Sequence, residues 1–575
     1  MQKVLLLVTI LLVSFGAFAQ LDNVMGGSVS GNFKLDAQTY SPDSIIGADT
    51  ISEKLLSNSY MNIIYTNGNF KAGVRFEGYF NAMEGYEKQY NGFGLASRFA
   101  TYTGDFVEVT AGNFYEQFGN GLAFRAYEDR DLGYDNAMDG ALVKVKPHDG
   151  IILKGIIGQQ RLYWEKAEGL VRGADAEFAI NSIIGGFAES NHRITLGGSF
   201  VSKFQKDEDP TLILPENVAI GAGRINYSIS GFNITSEYAY KSQDPSFDNR
   251  NIYKSGSALL VNTNYSQKGF GVMVQYKWVD NMSFRSDRNE SINNVLINNL
   301  PAISKNHAYS YSAMYPYATQ ANGEAGFQIE IFKKFNKGSF IGGKYGTMMS
   351  MNFSRITGID KTPLNDSTKI GQSGTDGYTT SFLSMSDELY YQDANIDITK
   401  KFSKKLKGVF TYQNIKYNQK VLEVHLDVVE ANIFIADLTW KIKPKHSLRI
   451  EAQALFTSQD SIGEGDYREY GKQDYGDWAM LTLEYTISPN WFFAVSDQWN
   501  YVSFDDDIAK KTLLYNHNKE LDRIHYYSVA MGYTKGPTRV ALSYGKQREG
   551  ILCVGGVCRA VPASNGLLLT LSHTF

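Results

Sequence analysis

Apolar and polar residues alternate one for one along much of this 575-residue chain. In "NFKAGVRFEGYFN" (69–81), Phe70, Ala72, Val74, Phe76 and Phe80 share one face, and Lys71, Arg75 and Glu77 share the other. In "FNITSEYAYKS" (232–242), Phe232, Ile234, Tyr238 and Tyr240 oppose Asn233, Thr235, Glu237 and Lys241. In "ANIFIADLTWKIK" (431–443), Phe434, Ala436, Leu438, Trp440 and Ile442 oppose Asp437, Thr439 and Lys441. In "HSLRIEAQALFTS" (446–458), Leu448, Ile450, Ala452, Ala454 and Phe456 oppose Arg449, Glu451 and Gln453. A period of two predicts β-strands with one apolar face. A soluble sandwich has the same pattern, so alternation alone does not choose between the two.

The connections choose. Short turns are predicted at 66–69, 103–105, 147–150, 230–231, 267–269, 336–338, 443–445, 488–490 and 535–537, from their Gly, Pro, Asn and Asp residues. Long polar loops lie near 42–58, 119–137, 288–322, 359–384, 461–474, 505–522 and 551–565. Short turns at one end and long loops at the other are the arrangement of an outer-membrane barrel. The expected fold is therefore all-β: one large transmembrane antiparallel barrel of about 24 strands, the count least certain over 165–215 and 288–325.

The first residues, "MQKVLLLVTILLVSFGAFAQ", have Lys3, an apolar run from Val4 to Phe15, and the small-x-small site Ala17-Phe18-Ala19. That is the pattern of a cleaved secretory signal peptide over 1–19, with a barrel over 20–575. The run is too short to span a membrane as a helix. An uncleaved interfacial anchor is the alternative.

Composition agrees with a membrane barrel. Apolar residues make up only 43% of the chain, yet it carries 37 Tyr and 34 Phe. That suits strands that are apolar on one side only. The net charge of −4 is spread along the chain and gives no footprint for nucleic acid.

Both cysteines, Cys553 and Cys558, flank Val-Gly-Gly-Val near the C-terminus. In an exported chain thiols are oxidised, so a disulfide across this turn is expected. It would pin a loop tip and not hold up the fold; a metal pair is the alternative, with no His nearby to complete it. The chain then ends in an amphipathic strand. Leu567, Leu569, Leu571, His573 and Phe575 alternate with Leu568, Thr570, Ser572 and Thr574. A closing strand that finishes on Phe575 resembles the insertion signal read by the barrel-insertion machinery. Lipid and lipopolysaccharide are the other expected contacts.

Three stretches carry a further resemblance: "GNFYEQFGNGLAFRAYEDRDLGYDNA" (112–137), "HAYSYSAMYPYATQANGEAGFQ" (307–328) and "CVGGVCRAVPASNGLLLTLSHTF" (553–575). Together they resemble a family of uncharacterised Bacteroidetes outer-membrane proteins, classed as a domain of unknown function. The resemblance implies a barrel and its location; it implies no activity, substrate or catalytic residue.

Within 119–137, Arg125, Glu128, Asp129, Arg130, Asp131 and Asp135 crowd a glycine-rich loop. Such mixed charge either folds inward as a constriction or stays a solvated loop held by structural ion pairs. Tyr309, Tyr311, Tyr315 and Tyr317 flank Pro316 beside His307; they suit ligand stacking, an interfacial girdle, or a loop packed on the rim. Asp505-Asp506-Asp507, and Asp466, Glu469, Asp474 and Asp477, lack the spacing of a calcium loop and read as solvated charge.

No G-x-S-x-G, H-E-x-x-H or P-loop pattern occurs. Neither an enzyme nor a cofactor is expected. No globular segment precedes the first strand near 27–41, which argues against a receptor with a separate plug domain. Two functions remain. One is a porin-like channel whose selectivity is set by Arg125, Glu128, Asp129 and Arg130 with Lys71, Arg75, Arg449 and Glu451. The other is a non-conducting accessory barrel of an outer-membrane secretion or assembly complex, its partner unknown, with the same residues as internal glue. The wide lumen of so many strands tilts the expectation toward the channel.

Overall fold

The computed structural model describes residues 22–24, 26–291, 293–423, 428–459, 476–501, 523–555 and 557–575. The leader over 1–19 and the loops 461–474 and 505–522, with Asp466, Glu469, Asp474 and Asp505–Asp507, lie outside the described residues. Among those described, the main sheet has 25 strands. The three-residue strand Asp22–Val24 only folds back on Gly27–Thr39. The other 24 form a closed antiparallel barrel in chain order. Closure is made by Gly27–Thr39 pairing with Ser564–Thr574, from Asn32↔Thr574 to Gln38↔Leu568. Closing the sheet leaves no free edge, so most backbone donors and acceptors in the wall find a partner on a neighbouring strand.

The alternation read from the sequence sets the two faces of this wall. Phe76, Phe200, Phe434, Trp440, Phe456, Leu481, Val495 and Val529 point outward and are exposed. Unpartnered apolar side chains all round a closed barrel are stable only against lipid. Among the described residues no helix is long and apolar enough to cross a membrane.

At one end of the barrel most strands join by tight turns, with Gly68 and Gly269 at positive φ. Two connections at this end are longer, and one of them stands where a tight turn is predicted. Residues 180–191 carry the short helix Ile180–Ile183, and the turn placed at 336–338 opens into a loop that ends only at Thr347. There Gly338 donates to Gly343, and Gly343 to Ser339, so the loop has its own hydrogen bonds. At the opposite end the loops are long, with one exception. Leu162 and Glu165 are joined by only Tyr163 and Trp164.

Phe575 sits at the turn end. Its N–H donates to the Gly31 carbonyl and its carbonyl accepts from the Gly31 N–H, both at 2.9 Å. The ring covers Gly31, where an added Cβ would come within 2.5 Å of it.

The inward face changes character along two neighbouring strands. In Val428–Lys443 the inward positions read Val429, Ala431, Ile433 and Ile435 from the loop end, then Asp437, Thr439 and Lys441 toward the turns. In His446–Gln459, running the other way, they read Ser447, Arg449, Glu451 and Gln453, then Leu455. In these two strands the lumen face is polar in its turn half and apolar in its loop half. The apolar half belongs to one core that includes Leu142, Val201, Ile220, Leu260, Ile356, Ile415 and Trp478.

Candidate functional site: the segments folded into the lumen

Apolar side chains facing a lumen need something to pack against. Three loop segments supply it: 115–137, 281–323 and 548–563. Phe118, Leu122 and Phe124 from the first, and Phe284, Ile297, Ile303, Tyr311, Tyr315 and Tyr317 from the second, are buried in the same core as the wall residues. The segments are tied to one another by backbone. The Arg125 N–H donates to Ile297 at 2.8 Å and the Asn299 N–H to Gly121 at 2.9 Å. The Asn136 amide donates to Leu296 at 2.7 Å. The third segment is the hairpin of Gly550–Val554 and Val557–Val561, crossed by the Cys553–Cys558 disulfide. It turns inward onto the second: the Ala302 N–H donates to Gly555 at 3.2 Å, and the Asn293 amide donates to the Cys558 carbonyl.

Ion pairs fix these segments to the wall. Arg75 contacts Glu77 (2.8 Å), Glu128 (2.8 Å) and Asp135; Arg161 contacts Glu77 and Asp135, both at 2.7 Å. Arg130 closes on Glu128 at 2.6 Å. Burial alone would raise the Asp135 carboxyl, but Arg161 and Arg75 outweigh it and hold it below the ordinary carboxylate range. Glu77, Glu128 and Asp135 are close enough together to chelate a cation. The three arginines already match their three charges, so the arrangement is an ion-pair network and not a vacant metal site.

Further round, Lys241 donates to the Ser283 carbonyl and Lys277 to the Pro301 carbonyl, both at 2.5 Å, while the buried pairs Lys203–Asp244 (2.9 Å) and Lys277–Glu324 lie within the wall and the loop 242–255. Along the opposite wall, residues 305–311 run as a strap across four strands. Lys305 meets Asp397 (2.6 Å), His307 meets Asp393 (2.7 Å), the Tyr309 hydroxyl donates to Asp437 (3.1 Å), and the Tyr311 N–H donates to Gln453 (3.0 Å). From Tyr309 the strap turns: the Ala313 N–H donates to the Tyr309 carbonyl at 3.0 Å and the Met314 N–H to the Tyr311 carbonyl at 3.1 Å.

A family model matches residues 1–575 as a family of unknown function, DUF6029. The chain belongs to DUF6029. The comparison with curated proteins finds no match. Among solved structures, this DUF6029 barrel is similar to the translocation pore of the P pilus usher PapC, at 8% identity and a TM-score of 0.42, over 95% of this chain and 98% of that one. It is similar to a chain of the E. coli P pilus tip assembly intermediate PapC-PapD-PapK-PapG at 8% identity and a TM-score of 0.47, over 96% of this chain and 61% of that one. It is also similar to the siderophore receptor PirA from Pseudomonas aeruginosa, at 8% identity and a TM-score of 0.39, over 95% of this chain and 80% of that one.

The residues that the sequence singles out in this DUF6029 chain are not all together. Arg75, Glu128 and Arg130 meet in one network. Asp129 is next to it and caps its own turn, accepting from the Asp131 and Leu132 N–H groups at 3.1 Å each. Arg125 stacks on Tyr127, its guanidinium 4.1 Å from the ring centre. Arg449 and Glu451 lie across the lumen, with Arg449 also 3.0 Å from Asp437. Lys71 faces the lumen near the turns. Tyr311, Tyr315 and Tyr317 are core residues. The residues missed were Arg161, Lys203, Lys241, Lys277 and Glu324. The available signal was charge on the inward register of otherwise apolar strand ends.

Proposed function

We propose that this protein is a barrel of the cell outer membrane whose lumen is sealed at rest by its own loops, serving as an accessory component of an outer-membrane assembly. The observation that carries this reading is the continuous apolar core between the wall and the segments 115–137 and 281–323. Among the described residues, a core packed from both sides is what closes the loop half in this reading. The wall lysines Lys241 and Lys277 support it, because each buried ammonium donates to a carbonyl of the segment 281–323, Ser283 and Pro301 respectively, and displacing the plug removes that partner.

Porin-like passage is the second reading, and one observation favours it. The turn half of the lumen is lined by charges of both signs: Asp397, Arg449 and Glu484 are partly exposed, and Asp437 and Glu451 are buried beside Arg449. That is a polar vestibule, which conducts if the plug moves. The test is single-channel recording of the refolded protein in a planar bilayer. The sealed reading expects an electrically silent barrel. Steady conductance with measurable ion selectivity in the unmodified protein would replace it with the channel.

A further inference from the structure

The loop end holds a cavity of about 800 Å³ that the seal does not use. It lies between the disulfide hairpin, the loop 81–91 and the plug. Its polar lining includes Arg559, Asn293 and Asn294, and its apolar lining includes Leu132, Met314 and Val561. The volume is that of a small-molecule site.

Arg559 decides what the cavity takes. Its guanidinium stacks on Tyr86, 4.4 Å from the ring centre. Its Nε is buried with no hydrogen-bond partner. Arg75, Arg130, Arg161 and Arg449 are each matched by carboxylates, whereas Arg559, like Arg125, makes no ion pair among the described residues. A half-buried guanidinium without a counter-ion is an anion site, and its fork fits a carboxylate. Glu87, Glu423 and Glu549 also line the cavity, and their charge disfavours a polyanion. We propose that this cavity binds a small organic monoanion, its carboxylate held by Arg559 and its apolar body packed on Leu132, Met314 and Val561. The site is independent of whether the lumen conducts.

The test uses the full chain in lipid nanodiscs and 2-naphthoate as the probe, read by saturation-transfer NMR with empty nanodiscs subtracted. 2-Naphthylmethanol is the uncharged control. The unmodified protein is expected to bind naphthoate more tightly than the alcohol. Arg559→Gln is expected to weaken naphthoate about tenfold or more, the loss of a charge-assisted pair, and to leave the alcohol unchanged. Should Arg559→Gln not reach the folded form, Val561→Asp carries the test: a carboxylate beside the site should abolish naphthoate binding. The proposal is overturned if the unmodified protein gives no signal above empty nanodiscs, or if the folded variant binds naphthoate as well as the unmodified protein.

Discussion

Glu77 shows what a single residue does in this molecule. It is buried in the wall and accepts from Arg161 at 3.0 and 2.7 Å while also pairing with Arg75. A buried carboxylate between two guanidiniums is tolerated only because all of them are matched. Removing one partner leaves the other exposed to the full desolvation cost. Glu77→Gln and Arg161→Met are each expected to lower the stability of the folded barrel by about 3 kcal/mol, read from the urea midpoint. The double variant should lose less than the sum, by about 1 kcal/mol or more, because the second change removes the group the first one stranded. Strict additivity would show that the two residues do not act as a pair. Arg75 and Glu77 were readable as lumen charges, since they alternate with Phe76 and Val74. Arg161 was not. It stands at the end of "IILKGIIGQQRL", and the partner that gives it meaning is 84 residues away in sequence.

At the scale of elements, the strands were written plainly. Each has one continuous apolar face, and the turn residues mark where it stops. The connection after Phe335 was misread because Asn-Lys-Gly is a sufficient turn by itself. Nothing local says that Ser339 to Gly346 will instead form a loop of its own. The disulfide hairpin is the element whose place was half visible. Its cysteines and the Gly-Gly turn predict a pinned tip, but not that the tip turns inward onto Ala302 and Asn293. The bond closes residues only five apart in sequence, which in the chain-entropy view contributes about 2 kcal/mol to the hairpin alone. Changing both Cys553 and Cys558 to Ser should therefore leave the barrel folded and heat-modifiable on gels. It should also speed trypsin cleavage after Arg559, which lies in the hairpin strand Val557–Val561. Loss of the folded form would contradict a local role for the bond.

At the scale of the whole molecule, the seal was written in the one register the alternation does not test. Ile433 and Ile435 are inward positions flanking the outward Phe434, so "NIFIA" is apolar on both faces. A water-filled lumen gives no reason for that, and a packed one does. The three segments that meet there, 115–137, 281–323 and 548–563, overlap the three stretches whose resemblance marked the family. The seal also predicts what its removal does. Val279 pairs with Glu324 in adjacent strands, so the ends of the segment 281–323 are neighbours and a short Gly-Ser linker joins them without strain. Replacing 283–321 by such a linker strips the wall of Lys305 and His307 and leaves Asp393 and Asp397 facing open water. Among these wall groups the freed charge is negative, and narrow acidic linings favour cations. The deleted barrel is expected to conduct steadily in a planar bilayer, with cations preferred over anions. Adding Asp393→Asn and Asp397→Asn should weaken that preference without closing the pore. A folded deletion variant that stays silent would show that the segment 281–323 is not what holds the lumen shut.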